Sequence, residues 1–239
     1  MAQTRSDVRD IYGIAALATL AMLVIIPAQI LVFAIAPIPT SPGDWFALLT
    51  GRPVIGLFHT DFFLMVNNVL IAVIYLAFYH SLKHTNRGLL QIAIVLGLVG
   101  IAAYISSNRT FELFALAREF AAETMESDRL ILLAAGKTML VGWQGTAFDA
   151  YYVLNGITLV VISALMLGNT VYGRTTAIIG LIAGFFMVVP STAGTLGLIF
   201  SLLSLVPWYI FAIRFLSVFV RLYRGDGAPA LPSAQAGGG

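Results

Sequence analysis

The chain has 239 residues, 59% of them hydrophobic and only 10% charged, with a formal charge of +2 and no cysteine. So little polar surface excludes a water-soluble domain of this length, and the missing thiols exclude disulfides, thiolate metal sites and cysteine nucleophiles. Its Lys and Arg residues are dispersed instead of gathered on one face, so nucleic acid is not an expected partner.

Six charge-free apolar stretches follow one another: Ile11 to Ala36, Phe62 to Tyr79, Gly88 to Ile105, Ala150 to Leu167, Thr175 to Val189 and Ala193 to Ile213. A helix needs about 20 apolar residues to cross the hydrocarbon core. Five stretches reach or approach that length; the Thr175 stretch does so if it begins near Tyr172, with Arg174 snorkelling to the headgroups. The expected fold is all-α, a polytopic six-helix transmembrane bundle. Residues 1–224 form a single transmembrane domain with spans at about 11–36, 62–79, 88–105, 148–168, 172–190 and 193–220. A Gly-, Ala-, Pro- and Ser-rich tail at 225–239 reads as disordered.

Arg5 and Arg9 before the first stretch, with Ala34-Ile35-Ala36 after it, imitate a secretory signal. The run is too long for a signal core and Pro37 would follow the cut, so it reads as a retained span that Pro27 and Gln29 interrupt. After it, Ser41-Pro42-Gly43-Asp44 has the order of an N-cap, a first-position Pro and an early acid, with Gly51 as a stop. That predicts a short interfacial helix carrying Trp45 and Phe46.

Between the third and fourth spans, Ser106 to Asp149 carries ten charges yet keeps helical periodicity. Phe111, Phe114, Ala117 and Phe120/Ala121 form an apolar stripe, and Ser127-Asp128 is the expected cap of a second helix through Leu140, before the Gly142-Trp143-Gln144-Gly145 break. The expectation is an amphipathic helical hairpin, an outer lid at about 109–142. Pro207, beside Trp208 and Tyr209, predicts a kink in the last span.

Lys and Arg counts set the orientation. Arg5, Arg9, Lys83, Arg87, Arg174, Arg214, Arg221 and Arg224 share one side of an even-numbered bundle, so both termini are expected in the cytoplasm. Tyr12, Tyr75, Tyr79, Tyr172 and Tyr223 fall near inner span ends and Trp143, Tyr104, Tyr151 and Tyr152 near outer ends, as interfacial belts do.

Polar groups at membrane depth cost free energy unless they pair or face water, so they mark the place to look for function. On the outer half these are Asp61, Asn67, Asn68, Asn108, Arg109, Glu112, Gln144, Asp149 and Asn155. Two readings stand side by side. Thr60-Asp61 and Thr146-Ala147-Phe148-Asp149 fit helix N-termini and the Asn residues fit inter-helix hydrogen bonds. Alternatively the nine converge on an outward-facing polar pocket that binds a small polar or lipid ligand, a cation or a proton. A metal site there has one imidazole, His59, beside the three carboxylates Asp61, Glu112 and Asp149, a possible but unspecific set of which His59 and Asp61 are the first candidates. His80 and His84 share a helical face but sit among Lys83 and Arg87, where a further cation is disfavoured. No cofactor is implied, because no P-loop, G-x-G-x-x-G or G-x-S-x-G string occurs. Gly97 and Gly100, and Gly180 and Gly184, are small residues at helical steps; the second pair suits internal packing or a homo-oligomer or membrane-partner face.

Several separated strings carry a resemblance. Ser107-Asn108-Arg109, Phe111-Glu112-Leu113, Leu132-Leu133-Ala134-Ala135-Gly136, Gly145-Thr146-Ala147-Phe148, Tyr152-Val153-Leu154-Asn155, and Pro190-Ser191-Thr192-Ala193-Gly194-Thr195 through Leu205-Val206-Pro207-Trp208 look like the bacterial domain-of-unknown-function 4386 family of membrane proteins. The resemblance implies a six-span protein of the bacterial inner membrane and brings no reaction with it. The functional expectation is a non-enzymatic binding, transport-related or accessory membrane component. Its alternatives are an intramembrane metal-dependent or acid/base hydrolase using the outer carboxylates and His59, and a structural subunit of a larger membrane complex.

Overall fold

The computed structural model describes residues 2–226, with side chains from residue 8 onward, so the side chain of Arg5 and the tail beyond Asp226 lie outside what is described. The described residues are all-helical: α1 (Ala2–Ile35), α2 (Pro42–Gly51), α3 (Pro53–His59), α4 (Phe62–Leu82), α5 (Arg87–Ser107), α6 (Thr110–Ala122), α7 (Glu126–Trp143), α8 (Thr146–Leu167), α9 (Arg174–Met187) and α10 (Gly194–Arg224). Five helical stretches are long and apolar enough to cross a membrane: Val8–Ile35, Phe62–Leu82, one within Arg87–Ala122, one within Glu126–Leu167, and Gly194–Arg224. Their outward faces are apolar as well, with Leu17, Val24, Leu31, Ile92, Val99 and Val206 all exposed. A surface of that kind suggests a membrane-embedded protein.

The sixth expected span differs. Helix α9 is apolar but only 14 residues long. Gly173, at φ +76°, occupies its N-cap, a conformation that a residue with a side chain rarely takes, so the helix cannot extend back to Tyr172. Tyr172 instead turns inward, hydrogen-bonds Ser81 through its hydroxyl at 2.6 Å and packs on Phe78.

The main core is aromatic at one end of the bundle. Phe78 of α4 meets Phe211, Phe215 and Phe219 of α10 at centroid separations of 5.2–6.2 Å, with Tyr12 of α1 stacked on Phe219. The α10 rings recur at four-residue steps, which keeps them on one face. Tyr12, Tyr75, Tyr104, Tyr151 and Tyr172 are buried among these helices. They serve the core, and Tyr75 and Tyr172 place their hydroxyls on Asn155 and Ser81 inside the bundle.

Close helix approach relies on glycine. A Cβ on Gly97 of α5 would lie 2.6 Å from the Tyr75 ring, and one on Gly100 would collide with the Asn155 amide of α8. Thr158 of α8 bridges the same interface by donating to the Ala93 carbonyl at 2.8 Å. Gly180 faces Ser163 and Phe211, and Gly184 faces Val160, so this pair serves contacts within the chain. Pro27 and Pro207 lie inside α1 and α10, and neither breaks its helix.

A second, smaller core joins α2, α6 and α7 through Phe46, Leu49, Leu113, Ala117 and Leu132. Ser41 caps α2 as expected, accepting from Asp44 N–H at 3.2 Å. On α6 the buried stripe is Thr110, Leu113 and Ala117. The expected stripe is rotated: Phe111 is exposed and rests edge-on against Phe62 of α4. Helix α7 begins one residue early, at Glu126 behind Met125, so Ser127 does not cap it and donates to Asp128 instead. In the turn between α6 and α7, backbone N–H groups of Met125 and Thr124 donate to the Glu123 carboxylate and hold it below the usual carboxylate range.

Candidate functional site

A cavity of about 220 Å³ lies between α1, α4, α8, α9 and α10. Its lining positions recur at three- and four-residue steps on each long helix: Ile26, Gln29, Ile30 and Phe33 on α1; Asn67, Ile71, Ile74 and Phe78 on α4; Tyr151, Tyr152, Asn155, Leu159 and Ile162 on α8; Ser201, Ser204, Leu205 and Trp208 on α10. Such spacing places one stripe of each helix on the cavity. The wall is mainly apolar, with Gln29, Asn67, Tyr75 and Asn155 as its deeper polar groups. On the α1–α10 side Ile30 is 47% exposed, and Phe33, Ser201, Ser204 and Leu205 are half-buried. These exposed and half-buried lining residues bring the cavity to the bundle surface on that side.

Two of the polar groups are fixed by each other. The Tyr75 hydroxyl donates to Asn155 Oδ1 at 2.6 Å, and Asn155 Nδ2 donates to the Tyr151 carbonyl at 3.1 Å. Asn67 Oδ1 has no hydrogen-bond partner although the residue is 2% exposed. A buried acceptor left in that state is what a ligand's donor or a water would satisfy.

Asp61 heads α4 in an unusual way. It occupies the N-cap position with φ +59°, the left-handed region that Asp tolerates better than most residues. Neither Thr60 nor the Asp61 carboxylate caps α4, which corrects the expectation of an N-terminal capping role. The carboxylate turns toward α1 and accepts a 2.6 Å hydrogen bond from Gln29 Nε2. Gln29 Oε1 is left without a partner. The Tyr104 hydroxyl of α5 lies beside Asp61 without hydrogen-bond geometry, and Asn68, with no exposed surface and no partner for either amide atom, lies beside the Tyr151 hydroxyl. Asp61, Asn68 and Tyr75 follow at seven-residue steps, two helical turns each, and so form one polar edge of α4.

The nine residues singled out from sequence therefore do not form one pocket. Asn67 and Asn155 line the cavity, Asp61 adjoins it through Gln29, and Asn68 lies behind the α4–α8 contact. Asn108 holds the α5–α6 junction, donating to the Thr60 carbonyl at 2.9 Å and accepting from Thr110 N–H. Arg109 and Glu112 form a half-exposed ion pair at 3.6 Å. Gln144 is exposed at the end of α7, and Asp149 accepts from the Thr192 hydroxyl instead of completing a capping box, since Gly145 is the N-cap of α8. His59 Nε2–H donates to the Ala36 carbonyl at 2.9 Å, its ring edge-on to Phe33 and Trp45. Among the described residues no three His, Cys, Asp or Glu side chains gather into a set that holds a metal ion.

Sequence reasoning missed Gln29, Tyr75, Ser201 and Ser204. The available signal was the same one that found Asn67: an uncharged polar residue inside an otherwise apolar run. Comparison with protein-family models, curated proteins and solved structures finds nothing that this chain matches.

Proposed function

We propose that the protein is a non-enzymatic membrane component that binds an amphipathic, lipid-like molecule in the cavity between α1, α4, α8, α9 and α10. In this reading α9 is a short sixth crossing, both termini face the cytoplasm of a bacterium, and α2, α6 and α7 cover the outer end of the bundle. The strings that resemble the bacterial family named above are consistent with that placement. One observation carries the ligand class: an apolar cavity, open between two apolar helices, has a few amide and hydroxyl groups at its inner wall. Its volume of about 220 Å³ exceeds the roughly 150 Å³ apolar cavity known to admit benzene, so it accepts a segment of chain and not a whole lipid.

Trp208 lines the cavity and serves as the reporter. In a Trp45→Phe, Trp143→Phe background, delipidated protein in detergent is titrated with phosphatidylcholine brominated along its chains. Saturable quenching of Trp208, weakened when the cavity is filled by Asn67→Phe, supports the reading. Quenching that rises without saturation and is indifferent to Asn67→Phe rejects it.

A further inference from the structure

Gln29 belongs to two structures at once. Its side chain lines the cavity, and its Nε2 holds the Asp61 carboxylate at 2.6 Å. Among the described residues, no cation stands beside that carboxylate. Helix α1 contributes Gln29. Helix α3 contributes the Phe58 carbonyl and His59, whose Nε2 is engaged by the Ala36 carbonyl. Helix α5 contributes the unpartnered Tyr104 hydroxyl, and α8 contributes Tyr151 and Tyr152, with Asp149 behind them bound to Thr192. On α4 itself the neighbours are Asn67 and Asn68. Arg109 pairs with Glu112, and among the described residues that is the ion pair within 4.0 Å.

A carboxylate 8% exposed, without a cation, carries a desolvation cost that either a metal ion or a proton relieves. A metal ion is disfavoured by the geometry, because Gln29 turns an N–H donor and not its oxygen toward Asp61, and among the described residues no set of several ligands surrounds it. A proton needs one oxygen and one acceptor, and the unpartnered Gln29 Oε1 is within one amide rotation of supplying it.

We propose that Asp61 is a proton-binding site whose occupancy Gln29 transmits to the cavity. The inference rests on the cavity being a ligand site, as proposed above. With Asp61 ionised, Nε2–H faces the carboxylate. When Asp61 takes a proton from hydronium, an O–H bond of the hydronium breaks and water leaves, one O–H bond forms on the carboxyl, and the group becomes a donor. The Gln29 amide then turns over, Oε1 accepts that O–H, and Nε2–H is released. An acceptor on the bound molecule, such as an ester carbonyl, gains a donor in the wall. The protonated protein therefore binds ester lipids more tightly.

Two measurements test this on the full chain. Infrared spectra of reconstituted protein across pH are expected to show a carboxylic-acid carbonyl band that titrates, is missing in Asp61→Asn, and moves to higher midpoint in Gln29→Leu, where the ionised form loses its donor. A spectrum without such a band, or one that Asp61→Asn leaves intact, overturns the site. Asn keeps the left-handed backbone and the link to Gln29, so Asp61→Asn is expected to fold. Trp208 quenching by brominated phosphatidylcholine is expected to strengthen about tenfold, one hydrogen bond or about 1.4 kcal/mol, as Asp61 gains its proton, and to lose that pH dependence in Asp61→Asn. Saturable but pH-independent quenching overturns the transmission and spares the cavity. Absence of saturable quenching beside a titrating band overturns the cavity reading and the transmission with it. Replacement of potassium by sodium at fixed pH is expected to change neither signal; a sodium-dependent shift would assign Asp61 to a metal cation and overturn the proposal.

Discussion

Tyr75 and Asn155, 80 residues apart in sequence, share a 2.6 Å hydrogen bond that ties α4 to α8 in the cavity wall. Removing the donor in Tyr75→Phe leaves Asn155 Oδ1 without a partner in an apolar setting. Inter-helix hydrogen bonds in membrane proteins contribute about 0.6 kcal/mol on average and up to about 1.7. Tyr75→Phe is expected near the upper value because the site is buried. Reversible unfolding in mixed detergent, with the Asn155→Ala and double variants completing a cycle, checks both the magnitude and the pairing.

Glycine substitutions are expected to divide sharply by position. Gly100→Val drives a side chain into the Asn155 amide and should destabilise by about 1–3 kcal/mol or abolish folding. Gly142→Ala, where nothing lies within 4 Å near the end of α7, should be neutral or stabilise by about 0.5 kcal/mol. Thermal denaturation of the two variants side by side provides the comparison, and equal losses would contradict the packing described for α5 and α8.

At Asp61 the backbone discriminates among substitutes. Asp61→Asn retains a residue that tolerates φ +59° and should keep nearly native stability. Asp61→Val places a β-branched residue there and should lose about 1–2 kcal/mol from strain alone, in addition to the lost Gln29 contact. The difference between the two melting curves measures it.

Much of this was legible beforehand, for a physical reason. Long apolar runs locate helices whatever their neighbours, because backbone hydrogen bonds within a segment are local. The cap of α2 was legible too, since Ser41, Pro42 and Asp44 act on their own N-terminus. Pairings between helices were not. Gln29 looked like an interruption beside Pro27 because its partner, Asp61, lies 32 residues away. Asp149 and Asp61 looked like capping acids because sequence shows the nearest N–H groups and conceals Thr192 and Gln29. Periodicity alone puts Phe111 on the buried stripe of α6 because it fixes a face only to within about one residue, and the neighbouring α2 and α4 decide the rest.

Filling the cavity is expected to trade binding against stability. Asn67→Leu removes the unpartnered Oδ1 and adds apolar volume, which should stabilise by about 1 kcal/mol while weakening Trp208 quenching by brominated lipid. A variant that loses both stability and quenching would show that Asn67 has a structural partner instead.

Acid is expected to loosen the turn between α6 and α7. The Glu123 carboxyl sits below its ordinary value when folded, so its contribution is present above the unfolded value and is lost as pH falls through the folded one. Amide exchange at Thr124 and Met125, compared at each pH with Glu123→Gln, should converge with that variant at low pH and be slower than it near neutrality.

Helix α9 has a consequence for the surrounding lipid. Fourteen residues at 1.5 Å each make a rod of about 21 Å, well short of a hydrocarbon layer of about 30 Å. If it crosses, acyl chains beside it must shorten or splay, at a cost of fractions of a kcal/mol for every ångström unmatched. The protein would then dimple its host locally, collect thin or disordered lipids along that flank, and favour regions where the bilayer is already slender.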